Sequence, residues 1–308
     1  MRAGPVHGEP RHLIHIGFAK AGSTFLQRWF AAHPQIGYVE GGIAGYRDLY
    51  DVARQSAEPV AGIRWRVSSA EGLATPHPFV GLRDIDYRRM HGLQLPEAQA
   101  EVCRTLAALF PDASVLMITR GFRSMMLSSY SQYVRTGGAD EFFALREGFG
   151  SEGHPSAHAW DYSGLIRLYR AAFGDRLIIL PYELLRDDAG AFVELLEAKL
   201  GLDPCPPSVE RVNEGLSGIE IRWYPRLSRL LRRLPIGRPL RDRMFIQYSR
   251  AATANRLRPL IRLLQWIRPA EPVTGALVSD DVLERFRPKA EALRGDPLYA
   301  PYKDEYLL

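Results

Sequence analysis

Residues 13–32 restrict the possible folds of this sequence more than any other stretch. The apolar residues 13–16 predict a buried strand, and residues 25–32 carry apolar side chains at helical spacing. The loop between them contains Gly17 and Gly22. A strand, a glycine-containing loop and a helix in this order bring backbone N–H groups and the positive end of the helix dipole to one point. Such a point suits a phosphate or a sulfate group.

The side chains of this loop add charge and hydroxyl donors. Lys20 supplies a full positive charge, and Ser23 and Thr24 supply O–H groups. A nucleotide-triphosphate P-loop requires Gly-x4-Gly-Lys-Ser/Thr, with the lysine directly before the hydroxyl residue that binds magnesium. Here Ser23 stands where that lysine would be, and the lysine of the loop is at position 20. The loop by itself is equally compatible with an ordinary strand–turn–helix corner that carries a surface lysine.

A second apolar run, residues 114–119, ends at Arg120 and predicts an interior parallel strand. The residues that follow are helically spaced, and Ser128 lies eight positions after Arg120. A fixed guanidinium group and a hydroxyl group can hold one phosphate dianion from two sides. Arg120 considered alone is more simply interpreted as a salt-bridged arginine at a strand end.

Taken together, these stretches resemble the sulfotransferases that use 3′-phosphoadenosine 5′-phosphosulfate (PAPS), and bacterial members more than animal cytosolic ones. The glycine loop resembles the family's 5′-phosphosulfate loop, and Arg120 with Ser128 resembles its 3′-phosphate site, although Phe122 replaces the usual proline. The resemblance implies that the following residues bind PAPS: Lys20, Ala21, Gly22, Ser23, Thr24, Phe25, Arg120, Ser128 and Tyr182.

Two softer matches extend the resemblance to about residue 216. Residues 182–185 read Tyr-Glu-Leu-Leu after a predicted strand, and residues 200–202 read Leu-Gly-Leu. In the family a Tyr-Glu-x-Leu segment stands at this place, which implies that Tyr182 lies near the adenine and that Glu183 is structural. A tyrosine that fills the edge of the core is an equally good interpretation of Tyr182 by itself.

The resemblance also implies the chemistry. Lys20 would stabilise the leaving phosphate, and a carboxylate or histidine would take the proton of the acceptor hydroxyl. Glu71, after the predicted strand at residues 63–68, is the first choice for this base, Glu40 the second and His77 the third. The reaction requires no metal, and no metal-ligand spacing is visible in the sequence.

The order of predicted elements indicates an α/β fold. Strands alternate with helices, which predicts a P-loop-like, mostly parallel sheet with helices on both faces. We expect a PAPS-binding core over residues 1–216 and a helical C-terminal part of the same domain over residues 217–308. Residues 74–95 and 139–160 are predicted to be irregular. Further strands are predicted at residues 36–39 and 176–180. Further helices are predicted at residues 43–57, 96–109, 160–173 and 189–200.

Apolar runs and cysteines in the sequence predict the cellular compartment of the protein. No apolar run reaches membrane-spanning length, and residues 1–11 lack the apolar core of a signal peptide, which predicts no secretion. The two cysteines have neither metal-ligand spacing nor a disulfide framework, so we expect a reducing, cytoplasmic setting.

Residues 222–268 hold thirteen arginines and one acidic residue, Asp242, a balance of +12. Apolar residues recur among them at helical spacing, so these helices either pack on the domain or lie on an anionic membrane at its inner face. Nucleic acid is not expected, because no base-reading module accompanies the charge.

Two rival functions stay open from the sequence: a nucleotide-dependent small-molecule kinase and a non-enzymatic anionic-membrane binder. If the chain is a sulfotransferase, its expected acceptor is a hydroxyl compound, such as a carbohydrate or glycolipid, and less readily an amine.

Overall fold

The structure is a computed structural model. It describes residues 10–38, 61–76, 94–152, 154, 156–205 and 215–308.

The chain divides into two compact units. The first comprises Met1–Gly121, His158–Val212 and Arg287–Leu308, and the second comprises Phe122–Ala157 and Asn213–Phe286. The division predicted at residue 216 stays a prediction.

The first unit is built on a five-stranded sheet in which every pair of neighbouring strands is parallel. The strands lie in the order β2-β3-β1-β4-β5. Their bounds are β1 Arg11–His15, β2 Ile36–Gly37, β3 Trp65–Ser69, β4 Ser114–Thr119 and β5 Leu177–Pro181. The sequence-based fold class, an α/β fold with a parallel sheet, is confirmed.

Strand β4 is an interior strand of the sheet, between β1 and β5. Residues 115–119 are all 0% exposed. Because successive side chains of a strand point to opposite faces of the sheet, both faces are covered at this strand. The unbroken apolar run in the sequence follows from this two-sided burial.

Two helices of the first unit begin at an aspartate that caps them, and each of the two ends at a glycine. The Asp161 carboxylate accepts from the Gly164 N–H at 2.9 Å, and the Asp188 carboxylate accepts from the Ala191 N–H at 2.9 Å. Gly201 ends its helix at φ +65°, a left-handed conformation that glycine adopts easily. The helices are α1 Ser23–Ala32, α2 Leu95–Leu109, α6 Tyr162–Phe173, α7 Tyr182–Asp187, α8 Ala189–Leu200 and α13 Lys303–Tyr306.

The second unit is helical in its described part. The longer helices α9 (Gly218–Arg233) and α10 (Arg238–Thr253) and the amphipathic α11 (Arg258–Ile267) contain most of the Arg-rich segment. A Ser217/Glu220 capping box starts α9. Trp223 and Tyr224 of α9 are buried. The helices are α3 Phe122–Arg135, α4 Phe142–Arg146, α9 Gly218–Arg233, α10 Arg238–Thr253, α11 Arg258–Ile267 and α12 Asp280–Glu284.

Residues 139–160, predicted as a loop-rich insertion, contain α4 and the short helix α5, Ser156–Ala159. These helices span five and four residues, too short for helical periodicity to be visible in the sequence. The predicted helix at 43–57 and most of the predicted irregular segment at 74–95 lie outside the described residues. Among the helices that the structure describes, none has the length and apolar character that crossing a membrane requires.

Candidate functional site

The loop between β1 and α1 is held in an uncommon backbone conformation. Lys20 has φ +70° and Gly22, the N-cap of α1, has φ +87°. The left-handed region disfavours side chains with a Cβ by about 1–2 kcal/mol, so Lys20 is strained while Gly22 is not. Such strain in a non-glycine residue is concentrated at functional sites.

The start of α1 offers hydrogen-bond donors that are not used within the described part of the chain. The N–H groups of Gly22, Ser23 and Thr24 have no acceptor there, and no side chain caps the helix. The Ser23 hydroxyl is buried and has no hydrogen-bond partner among those residues. Because buried polar groups are normally paired, this cluster of donors marks a place suited to an anion.

The loop packs tightly against the start of α7. A Cβ placed on Gly22 would lie 2.6 Å from Leu185 Cδ2 and 3.3 Å from Tyr182 Cδ2. Tyr182 is the first residue of α7 and is partly exposed. The absence of a side chain at Gly22 therefore allows the loop and Tyr182 to touch.

Arg120 connects this loop with Tyr182. Its Nη1 donates to the Lys20 carbonyl at 2.5 Å, and its Cζ lies 4.4 Å from the centre of the Tyr182 ring. The sheet explains this meeting, since β4 pairs with β1 on one side and with β5 on the other, where Thr119 lies opposite Pro181. The residues that follow three neighbouring parallel strands reach the same edge of the sheet.

A buried carboxylate fixes the backbone after Arg120. Glu183 is 0% exposed, and its oxygens accept from the Gly121 N–H at 2.9 Å and from the Tyr306 hydroxyl at 2.6 Å. Burial raises the pKa of the Glu183 carboxyl above its ordinary 4.5, and the two donors oppose that rise. The Tyr162 hydroxyl donates to the Arg120 carbonyl at 2.5 Å from a second direction. These contacts suit the structural role expected of Glu183.

A polar cluster that the sequence did not predict joins the end of β1 to β3 and α1. His15 Nδ1 lies 2.8 Å from the Ser69 hydroxyl oxygen, which accepts from Gln27 Nε2 at 3.3 Å. His15 is 0% exposed, and burial lowers the pKa of its imidazole from 6.5 to about 4, so the ring is neutral at pH 7. A Cβ on Gly17 would lie 2.3 Å from His15 Nε2. The sequence contained one signal, a histidine at the end of a buried strand.

The other residues predicted to bind PAPS lie in or next to α1 and on α3. Ala21 is 0% exposed, and Thr24 and Phe25 are half-buried in the first turn of α1. Ser128 is half-buried on α3, in the second unit, and its role at the 3′-phosphate stays a prediction.

The candidate bases lie wholly or partly outside the described residues. The backbone of Glu71 begins a 3-10 turn, Glu71–Leu73, one residue beyond the end of β3, and its side chain lies outside the described residues. Glu40 and His77 also lie outside them. The choice of Glu71 over these two stays a prediction. Among the described residues, no group of three or more His, Cys, Asp or Glu side chains is arranged to hold a metal ion.

The chain is similar to the crystal structure of a sulfotransferase from Alicyclobacillus acidocaldarius, at 20% sequence identity and a TM-score of 0.46. The similarity covers 66% of this chain and 86% of that chain. No protein-family model and no curated protein matches the sequence.

Proposed function

We propose that this protein is a sulfotransferase that moves the sulfuryl group of PAPS to a hydroxyl group, less readily an amine, of an acceptor. The observation that carries the proposal is the group of donors at the start of α1. Three backbone N–H groups and the buried Ser23 hydroxyl lack acceptors in the described part of the chain. A phosphosulfate group supplies the anionic oxygens that such donors require.

The hydrogen-bond donors at the start of α1 explain why this loop departs from the nucleotide-triphosphate motif. The residues from Lys20 to Phe25 wrap the 5′-phosphosulfate, with Lys20 two residues before the helix cap instead of directly before the hydroxyl residue. When PAPS is bound, it supplies an activated sulfuryl group whose S–O bond breaks toward the phosphate. The Lys20 ammonium group neutralises the charge that develops on that phosphate oxygen.

Arg120 and Tyr182 form the other end of the nucleotide site. The guanidinium group provides donors for the 3′-phosphate, and the tyrosine ring provides a surface for the adenine. The stacking of Arg120 over the Tyr182 ring, at 4.4 Å, supports a shared role, because it orders both side chains before the ligand arrives.

The acceptor hydroxyl attacks sulfur in line with the bond that breaks, and its proton passes to a base. We assign this role to Glu71 because it follows β3, the neighbour of β1 in the sheet, after one intervening residue. A carbohydrate or a glycolipid is the acceptor class that we propose, with 3′,5′-adenosine bisphosphate and the sulfated acceptor as products.

Binding tests the nucleotide assignment. Titration calorimetry with 3′,5′-adenosine bisphosphate in the presence of EDTA should show binding, and Arg120→Ala should weaken it by about 2–5 kcal/mol, because the phosphate loses its charged partner. Arg28→Ala, which removes an exposed arginine of α1, is the matched control and should bind normally. Binding of ATP with magnesium, and none of the bisphosphate in EDTA, would replace this proposal with a kinase.

Transfer tests the chemistry. Mass spectrometry of reactions with labelled PAPS and a panel of carbohydrate, lipid and phenol acceptors should find sulfated product. Lys20→Ala should reduce kcat more than affinity, since its contact strengthens as charge builds on the leaving oxygen. Glu71→Gln should bind the donor normally and lose about two to four orders of magnitude in transfer. Full transfer by the Lys20 variant would refute the role of the loop.

A further inference from the structure

The exposed side of helix α11 is apolar. Leu260 is 42% exposed, Leu263 51%, Trp266 81% and Ile267 64%. At 100° per residue, these positions and Pro259 share one side of the helix, and Arg262 flanks them. A helix on the surface of a soluble domain normally turns such a stripe inward.

The opposite side of α11 is fixed to its own unit. Ile261 is buried, and Gln265 Oε1 accepts from Trp223 Nε1 of α9 at 3.0 Å. The Gln265 amide also bonds the backbone of Ala270 in both directions. The apolar stripe therefore cannot turn inward unless these contacts break.

Unpaired positive charge accompanies the stripe in the same unit. The single acidic residue of 222–268, Asp242, already pairs with Arg238 at 3.8 Å. Helix α10 adds Leu240, 54% exposed, and Ile246, 51% exposed. Within residues 222–268, the exposed arginines without an ion pair in the described part of the chain are Arg232, Arg233, Arg243, Arg250, Arg256, Arg262 and Arg268.

We propose that the exposed side of α11, flanked by Arg262, binds the surface of an anionic lipid bilayer, and that the other exposed arginines of residues 222–268 add to the attraction. Trp266 and the leucines enter the interface, where the amphipathic indole ring is favoured, and the arginines contact the headgroups. Charge complementarity selects this partner. A second copy would bring two segments of +12 together, and a nucleic acid would leave the apolar stripe in water.

Vesicle co-sedimentation of the full chain tests the proposal, with vesicles of phosphatidylglycerol and phosphatidylcholine or of phosphatidylcholine alone. We expect binding to the anionic vesicles. This binding should weaken markedly as the salt concentration rises from 50 to 500 mM, because the Debye length then falls from about 14 Å to about 4 Å and the attraction is screened. Trp266→Ser should weaken binding about tenfold. Arg262→Glu should weaken it about tenfold or more, because it replaces an attracted charge by a repelled one.

Arg104→Glu is the matched control, since it makes the same charge change at an exposed arginine of α2 in the first unit. It should bind as the wild type does, and circular dichroism should show every variant folded. Equal binding to both kinds of vesicle, or binding to neither, would overturn the proposal. Self-association without lipid that Trp266→Ser abolishes would also overturn it, in favour of a second copy.

Discussion

The substitution Gly22→Ala tests whether the loop is held by its contact with α7. The residue has φ +87°, and the added methyl group would lie 2.6 Å from Leu185 Cδ2. Two separate penalties follow, one from the backbone conformation and one from the collision. The ring of Tyr182, 3.3 Å from the same point, limits the directions in which the methyl group can move away.

The two penalties can be separated by a matched substitution. Gly62 has φ +84° and nothing within 4 Å of its added Cβ, so Gly62→Ala carries the backbone cost alone, about 1–2 kcal/mol. The collision adds about 1–3 kcal/mol, as overpacking does in cores. We therefore expect Gly22→Ala to lower the free energy of unfolding by about 2–5 kcal/mol.

Urea unfolding, followed by circular dichroism with the m-value checked for each variant, measures both costs. Leu185→Val removes the colliding atom, so the double variant should be more stable than the sum of the single changes predicts, by about 1 kcal/mol or more. Equal costs for Gly22→Ala and Gly62→Ala, to within about 0.5 kcal/mol, would refute the contact.

Three further predictions concern the same unit. Lys20→Gly should raise the free energy of unfolding by about 1 kcal/mol, because it removes a side chain from a residue at φ +70°. The same substitution should abolish sulfuryl transfer. Equal stability of Lys20→Gly and Lys20→Ala would contradict the backbone strain at Lys20. For Glu183, burial raises the folded-state pKa, so its contribution to stability is fully present below pH 4.5 and is lost as pH rises through the folded pKa. The stability of the wild type relative to Glu183→Gln should therefore fall over that window, and a pH-independent difference in urea titrations would contradict the assignment. For His15, the lowered pKa has the opposite effect: its contribution, about 3 kcal/mol, is present above pH 6.5 and is lost as pH falls toward about 4. His15→Asn should remove this share of the acid sensitivity, and unchanged acid unfolding would show that the ring is not buried neutral.

Local pattern was enough to predict the elements that carry the site. Strand β4 and helix α8 have the predicted bounds, and β1 and α2 differ from them by one or two residues. The reason is that burial on both faces of a strand and the caps of a helix are written in neighbouring residues. The short helices α4 and α5 were missed because a single turn carries no periodicity.

Contacts between distant residues could not be predicted in this way. Arg120 reaches the Lys20 carbonyl across 100 positions, and the Tyr306 hydroxyl reaches Glu183 across 123. Both depend on which strands are neighbours, and the sequence does not state the order β2-β3-β1-β4-β5. The cluster of His15, Ser69 and Gln27 depends on the same order, since β1 and β3 pair while the residues are far apart along the chain.

Helix α11 shows the same difference between what the local sequence predicts and what contacts with distant residues decide. The spacing of leucine and isoleucine residues from Leu257 to Ile267, with arginines between them, predicted an amphipathic helix, which the structure gives as Arg258–Ile267. Only the tertiary structure decided which face is covered. The hydrogen bond from Trp223 to Gln265 and the burial of Ile261 tie one side of the helix to α9, and they leave Leu263 and Trp266 in water. A helical period fixes the angle between residues about their own axis, whereas the direction of that axis and its rotation are set by the neighbouring helix.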